Sequence, residues 1–318
     1  MTHIFDRAAG AGLALAPTGS AVFSGGWGDR WSVELLSTPM TPASIEPADI
    51  VWEPKTEHRG LRRRHGNFTS PTADLLPPSA QAVPIELIEP AAGSKRIVVL
   101  MPSWNDEGFD RRREIARLLV ERRIASCYFD VPFYGARRVD PGRRLAIATV
   151  GEFALMGTGA VADAHAVLGA LTPMFGGLGV GGFSMGGNLA ALVSATTPLR
   201  LATGVMAASH SPGPVYLDGV LRRAIAWGAL GGRTAEPELR SLLGAVTTTT
   251  THPLPHHRAA IAVAGRGDGF VPPSAAAALV EHWPGCEARW LAGGHATLWW
   301  RHKTELADAI ADSFDRLA

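Results

Sequence analysis

Between Ala164 and Leu199 the chain carries no Asp, Glu, Lys or Arg, and inside that span runs FGGLGVGGFSMGGNLAAL with seven glycines. An uncharged apolar stretch of this length has two outcomes. It is either a continuous membrane helix, which needs about 20 apolar residues, or a buried strand and helix joined by a turn. The glycines decide for the second, because they break a helical pattern and cluster on both sides of a short apolar run. LGVGGF reads as a strand, MGGNLAALVSAT as a helix, and Ser184 falls on the turn between them. No membrane span is expected. A strand that is apolar on both faces belongs in a sheet covered by helices on both sides.

The rest of the chain repeats that rhythm. AVPIELIEP alternates like a half-buried strand and KRIVVLMP is a continuous apolar one, followed by the amphipathic GFDRRREIARLLVERR with Ile115, Leu118 and Leu119 on one face. IASCYFDVP, LATGVMAAS, RAAIAVAG and CEARWLAG read as further strands with helices between them. The expected fold class is α/β, with a mostly parallel central sheet and helices on both faces. Residues 212–257 interrupt the alternation with their own helical pieces and a Thr247–Thr251 run read as a β-prone or flexible hinge, so a helical cap insertion is expected there. Residues 1–65 lack long periodic apolar runs and carry scattered tryptophans (Trp27, Trp31, Trp52); they read as an elaboration packed on a core domain of residues 66–318.

Charge excludes several classes of function. With 46% hydrophobic residues and a net charge of +1, the chain is neither disordered nor a nucleic-acid binder. The runs Arg62–Arg64 and Arg111–Arg113 are offset by acids elsewhere and read as solvated faces. Cys127 and Cys286 are too few for a disulfide framework or a zinc site and read as core residues of buried strands. Near the start of the sequence a short apolar stretch follows Asp6, which stands where a signal peptide carries positive charge. A cytoplasmic location is expected.

The chemistry is carried by Gly182-Phe183-Ser184-Met185-Gly186, which fits G-x-S-x-G in the strand, turn and helix setting that presents a nucleophilic serine. Small residues are needed at the flanks because the sharp turn brings strand and helix backbones together. The helix after Ser184 directs its free N–H groups toward the site, making Met185 N–H the first expected oxyanion donor. An acid and a base are expected later in the chain, each after a strand. Asp268 follows RAAIAVAG in GRGDGFVPP, and His295 follows CEARWLAG in GGHATLWW. His210, just after a strand, is the rival base, and Asp218 is the rival acid, which lacks the setting of a turn after a strand. His252, His256 and His257 have no spacing suited to a metal, so neither metal nor cofactor is expected. The loop after KRIVVLMP should supply the second donor, with Trp104 N–H preferred and Ser103 beside it.

These residues resemble the α/β-hydrolase fold superfamily over roughly Gly66–Ala318. Within it, the stretches GNFTSPTADLLPPSAQAV, GFDRRREIARLL, ASCYFDVPFYGARR, GGFSMGGNLAAL and SPGPVYLDGVLRRAIAW look like the α/β-hydrolase domain-containing protein 18 branch. The resemblance implies Ser184, Asp268 and His295 as a triad, with the Pro132–Gly135 loop and Arg137 near the site mouth. The chain departs from the pattern at Pro102 and Ser103, where relatives tend to carry a histidine and small glycine-rich sequence.

The expected function is hydrolysis of a carboxylic ester with an apolar acyl group, on a small-molecule or lipid-like substrate. Ser103, Phe133, Tyr134 and Trp299 are expected to line the substrate pocket, with Trp300 beside them. A peptidase or acyltransferase would use the same triad, and a non-catalytic scaffold of this fold is the alternative from a different class. The sequence leaves the oligomeric state open.

Overall fold

In the sheet, neighbouring residues of each strand face opposite sides, so an all-apolar strand has to be covered twice. The arrangement is seen in a computed structural model that describes residues 2–14, 21–38, 45–143 and 145–317. The strands in chain order are β1 (Val51–Trp52), β2 (Thr56–His58), β3 (Leu61–Thr69), β4 (Ala82–Pro90), β5 (Arg96–Met101), β6 (Ile124–Phe129), β7 (Gly177–Phe183), β8 (Leu201–Met206), β9 (Ile261–Gly265) and β10 (Glu287–Leu291). They form one sheet in the order β1-β3-β4-β6-β5-β7-β8-β9-β10, with β2 paired to β3. From β6 to β10 all neighbours are parallel; β1 to β4 add an antiparallel flank.

The helices are α1 (Ile4–Ala14), α2 (Arg30–Glu34), α3 (Asp110–Glu121), α4 (Val150–Leu171), α5 (Met185–Thr196), α6 (Pro212–Leu217), α7 (Glu236–Ala245), α8 (Pro273–His282) and α9 (His295–Leu317). The sheet separates two apolar clusters. On β5, Ile97, Val99 and Met101 face the α4 and α5 side, while Val98 and Leu100 face α3 and α9. The expected class, a mostly parallel sheet with helices on both faces, is the one observed.

Helix α4 starts on a reciprocal cap: Glu152 N–H donates to Thr149 Oγ1 (3.0 Å) and Thr149 N–H to the Glu152 carboxylate (3.2 Å). It is the one helix among the described residues long and apolar enough to cross a membrane, and 72% of its most apolar window is buried inside the fold. Its apolarity is that of a core helix.

Between β8 and β9 lie α6, α7 and several short 3₁₀ turns, the helical insertion expected at 212–257. The threonine run forms a 3₁₀ turn at Thr248–Thr250, with Thr247 Oγ1 accepting from Thr249 N–H at 3.2 Å, rather than a strand. Residues 65 and 66 are neighbours within β3, and β1 pairs with β3, so the N-terminal elaboration and the core domain share one sheet. The N-terminal region joins the insertion through a bridge from Val22 to Ile225.

Candidate active site

Strand β7 ends at Phe183 and α5 begins at Met185, leaving Ser184 alone to make the turn. It does so at φ 59° and ψ −123°, a conformation an L-residue adopts only when its surroundings enforce it. Ser184 N–H donates to Met206 O (2.9 Å) on β8, and Ser184 O accepts from Asn188 N–H (3.0 Å) in α5. The flanks leave no room for a side chain. A Cβ on Gly182 would lie 2.5 Å from the Gly186 carbonyl, and one on Gly186 2.3 Å from Met101 O.

Asp268 and His295 occupy the loops after β9 and β10. His295 Nε2 lies 2.8 Å from Ser184 Oγ, and His295 Nδ1 lies 2.8 Å from Asp268 Oδ2. The other Asp268 oxygen accepts from Phe270 N–H (2.9 Å) and Val271 N–H (2.8 Å), which fixes the carboxylate toward the imidazole. The Phe183 and Phe270 rings flank the imidazole, at centroid distances of 4.9 and 5.0 Å. Only 12% of the His295 side chain and 2% of Asp268 is exposed, so the pair interacts largely out of water.

Ser184 opens onto a cavity of about 180 Å³. It is lined by Ser103, Trp104, Met185 and His295, and Phe153, Val215, Tyr216, Leu221 and Phe270 give it an apolar surface. Met185 is the first residue of α5, so its N–H has no acceptor within the helix. Ser103 and Trp104 line the cavity from the loop after β5, with Ser103 Oγ donating to Phe183 O at 3.3 Å.

Three residues expected in the pocket lie outside it. Phe133 and Tyr134 are 2% and 1% exposed in the core, and the Tyr134 hydroxyl supports the site from behind, accepting from Asn105 N–H (3.4 Å) and facing Met185 Sδ (3.8 Å). Burial pushes the Tyr134 phenol pKa well up. This loop turns inward because Arg137, which does not line the cavity, is fully buried and pairs with the equally buried Asp163 at 2.6 Å. Trp299 packs on Phe183 at 5.3 Å in the cluster on the other face of the sheet, and Trp300 is 68% exposed.

The rival groups stand apart from Ser184. His210 Nδ1 faces Ala275 O at 3.2 Å, and Asp218 pairs with Arg240 at 3.0 Å. His256 and His257 both direct Nε2 at Ser194 O, at 3.1 and 3.2 Å, and His257 stacks on Trp283. Among the described residues no group of three or more His, Cys, Asp or Glu side chains is placed to hold a metal ion. Cys127 is buried in β6 and Cys286 is half-buried just ahead of β10; neither is in a disulfide.

Sequence reasoning missed the cap residues that wall the cavity and one residue beneath the loops. Val215, Tyr216 and Leu221 lie in SPGPVYLDGVLRRAIAW, a stretch that carried the family resemblance, so a signal existed. Asp6 had none: its buried carboxylate meets the loops of both Asp268 and His295.

The fold is shared with solved esterases. A cold-adapted esterase from an Arctic intertidal metagenomic library superposes with a TM-score of 0.55 at 16% identity, over 83% of this chain and 99% of that one. An acetyl xylan esterase from Paenibacillus sp. R4 gives 0.55 at 14% identity, over 83% of this chain and 86% of that one. An S-formylglutathione hydrolase from Agrobacterium tumefaciens gives 0.54 at 12% identity, over 85% of this chain and 99% of that one. At these identities the likeness shows the α/β-hydrolase fold. The sequence profile described as Alpha/beta hydrolase domain containing 18 matches residues 20–254 and 232–316, nearly the whole chain. The chain therefore belongs to the Alpha/beta hydrolase domain containing 18 family.

Proposed function

We propose that this protein is a serine hydrolase that cleaves a carboxylic ester with a small apolar acyl group. The observation that carries the reading is the hydrogen-bonded chain from Ser184 Oγ through His295 to Asp268, both links at 2.8 Å, at the wall of an apolar cavity. Esterases among the structural neighbours support the ester as substrate.

In this reading His295 Nε2 takes the Ser184 proton as Oγ attacks the ester carbonyl carbon. Asp268 holds the imidazole in the tautomer with Nδ1–H and stabilises the imidazolium. The carbonyl oxygen, now an anion, is met by Met185 N–H and by Trp104 N–H, with Ser103 beside them. Collapse of the tetrahedral intermediate returns the proton from His295 to the leaving alcohol and leaves an acyl-Ser184 ester. Water, deprotonated by His295, then releases the acid and restores Ser184. No residue in this sequence of steps needs a cofactor or metal.

Cavity size sets the acyl group. An engineered apolar cavity of about 150 Å³ holds a benzene molecule, so about 180 Å³ here suits a short acyl chain.

The test uses p-nitrophenyl esters of graded chain length, together with a serine-directed fluorophosphonate. Turnover should peak at short acyl chains and Ser184 should carry the label. Absence of labelling, with His295→Ala indistinguishable from wild type, would sink the proposal. Cleavage of peptides alone, or acyl transfer to an added acceptor in place of hydrolysis, would reassign the reaction while keeping the triad.

A further inference from the structure

Both loops that carry the acid and the base end at one side of the sheet, where β10 is the edge strand and has only β9 beside it. Their outer side is covered by the N-terminal segment. Asp6 on α1 is 0% exposed. One of its oxygens accepts from Gly269 N–H (2.9 Å) in the Asp268 loop and from His295 N–H (2.7 Å) at the start of α9. The other faces Ala296 N–H at 3.3 Å. His3 N–H adds a bond to Gly267 O at 2.8 Å.

The chemistry suits these partners. The first N–H groups of a helix have no acceptor inside it, and a carboxylate there also meets the positive end of the helix dipole. Helix α9 begins at His295, so Asp6 supplies from another element what a local capping side chain would give. The loops are shaped to receive it. A Cβ on Gly294 would lie 2.4 Å from the Asp6 carboxylate and 2.5 Å from His3 Cβ, and one on Gly269 would lie 2.4 Å from Thr2 Cγ2.

We propose that Asp6 is a positioning residue: by binding the backbone of the Asp268 loop and of His295 at once, it sets the distance between acid and base and the approach of His295 to Ser184. This rests on the triad reading above. Asp6 touches no reacting atom and acts through the backbone that aims the imidazole.

The experiment compares Asp6→Ala and Asp6→Asn with wild type in the full chain. It reads kcat and KM on a p-nitrophenyl ester, the rate of fluorophosphonate labelling at Ser184, and amide exchange in segments 266–271 and 293–298. Asp6→Ala should lower kcat and kcat/KM together on the order of tenfold to a hundredfold, the scale of a misaligned reacting pair. KM should stay unchanged, labelling should slow in parallel, and exchange should quicken in both segments. Asp6→Asn keeps one acceptor oxygen and should recover part of kcat.

An Asp6→Ala protein that melts earlier but keeps wild-type kcat per labelled site would overturn the proposal, since that is what a purely structural contact gives. If Asp6→Ala does not fold, Asp6→Asn decides: unchanged kcat and exchange overturn the proposal, and a lower kcat with quicker exchange upholds it. If wild type neither turns over esters nor takes the label, the triad reading fails. Amide exchange in Asp6→Ala then judges Asp6 separately, and unchanged exchange in both segments would remove the clamp as well.

Discussion

The turn at Ser184 and the loops of Asp268 and His295 meet within hydrogen-bond distance, yet they are held by different means. Strand β7 lies between β5 and β8, and the turn after it is wedged by its own neighbours: Gly182 against Gly186, Gly186 against the end of β5, Ser184 N–H on Met206 O. Strand β10 is at the sheet edge, every one of its residues is only half-buried, and the loop after it borrows Asp6 from 289 positions away. A turn inside a sheet is fixed from both sides by the strands next to it. An edge loop has protein on one side only, and its stiffness must come from elsewhere in the chain.

The contrast can be broken or sharpened by substitution. If the proposed reading holds, the largest effect is expected from Ser184→Ala, which should reduce turnover about 10⁵- to 10⁶-fold, as loss of the nucleophile does in subtilisin. Fluorophosphonate incorporation should vanish while the melting temperature barely moves, because the turn is held by its backbone; a large loss of stability would show that the hydroxyl holds the turn.

Next comes Gly186→Ala. Its Cβ would meet Met101 O and Pro102 O, at 2.3 and 2.9 Å, backbone atoms that cannot swing away. A cost of about 1–3 kcal/mol is expected, read from denaturant unfolding, with activity falling as the Ser103 and Trp104 loop shifts. Gly294→Ala is the matched lesion on the other side. Its Cβ strikes the Asp6 carboxylate and His3 Cβ, so the N-terminal helix is displaced and the sheet is spared. Stability should fall by about 1 kcal/mol or less, with amide exchange rising in segment 293–298. A larger cost for Gly294→Ala than for Gly186→Ala would reverse the comparison.

The smallest effect at neutral pH concerns the Ser184 helix, where the group involved titrates only under acid conditions. Burial, reinforced by the neighbouring His256, lowers the His257 pKa from 6.5 to about 3, while its bond to Ser194 O in α5 acts the other way. Between those values the unfolded chain binds a proton that the folded one does not, so this contribution is complete above pH 6.5 and is lost as pH falls toward about 3. The slope of melting temperature against pH over that window should flatten in His257→Phe, which retains a ring to stack on Trp283. An unchanged slope would assign the acid lability to other groups.

The legible part of the site is the part built locally. Ser184, Asp268 and His295, which the structure brings within hydrogen-bond distance of one another, each stand in the sequence amid a strand, a turn and small residues. Phe133, Tyr134 and Arg137 were legible as a loop near the site but not in direction. Arg137 is buried with Asp163 from α4, and that partner turns the loop inward. The cavity walls were half legible: the cap was visible as an interruption, but Phe153 reads as one more apolar residue of a core helix. Asp6 read only as a charge near the start of the sequence.

By itself, the sequence determined the alternation of strands and helices from β4 onward, the class of sheet they enter, and the turn that presents Ser184. Hydrophobic periodicity and glycine spacing act over a few residues, and those features follow from them. The tertiary structure alone decided which aromatics face the cavity, where Arg137 is neutralised, and what braces the loops of Asp268 and His295. Each of those depends on a side chain meeting a group far along the chain, and such meetings are set by packing, which leaves no local pattern to read.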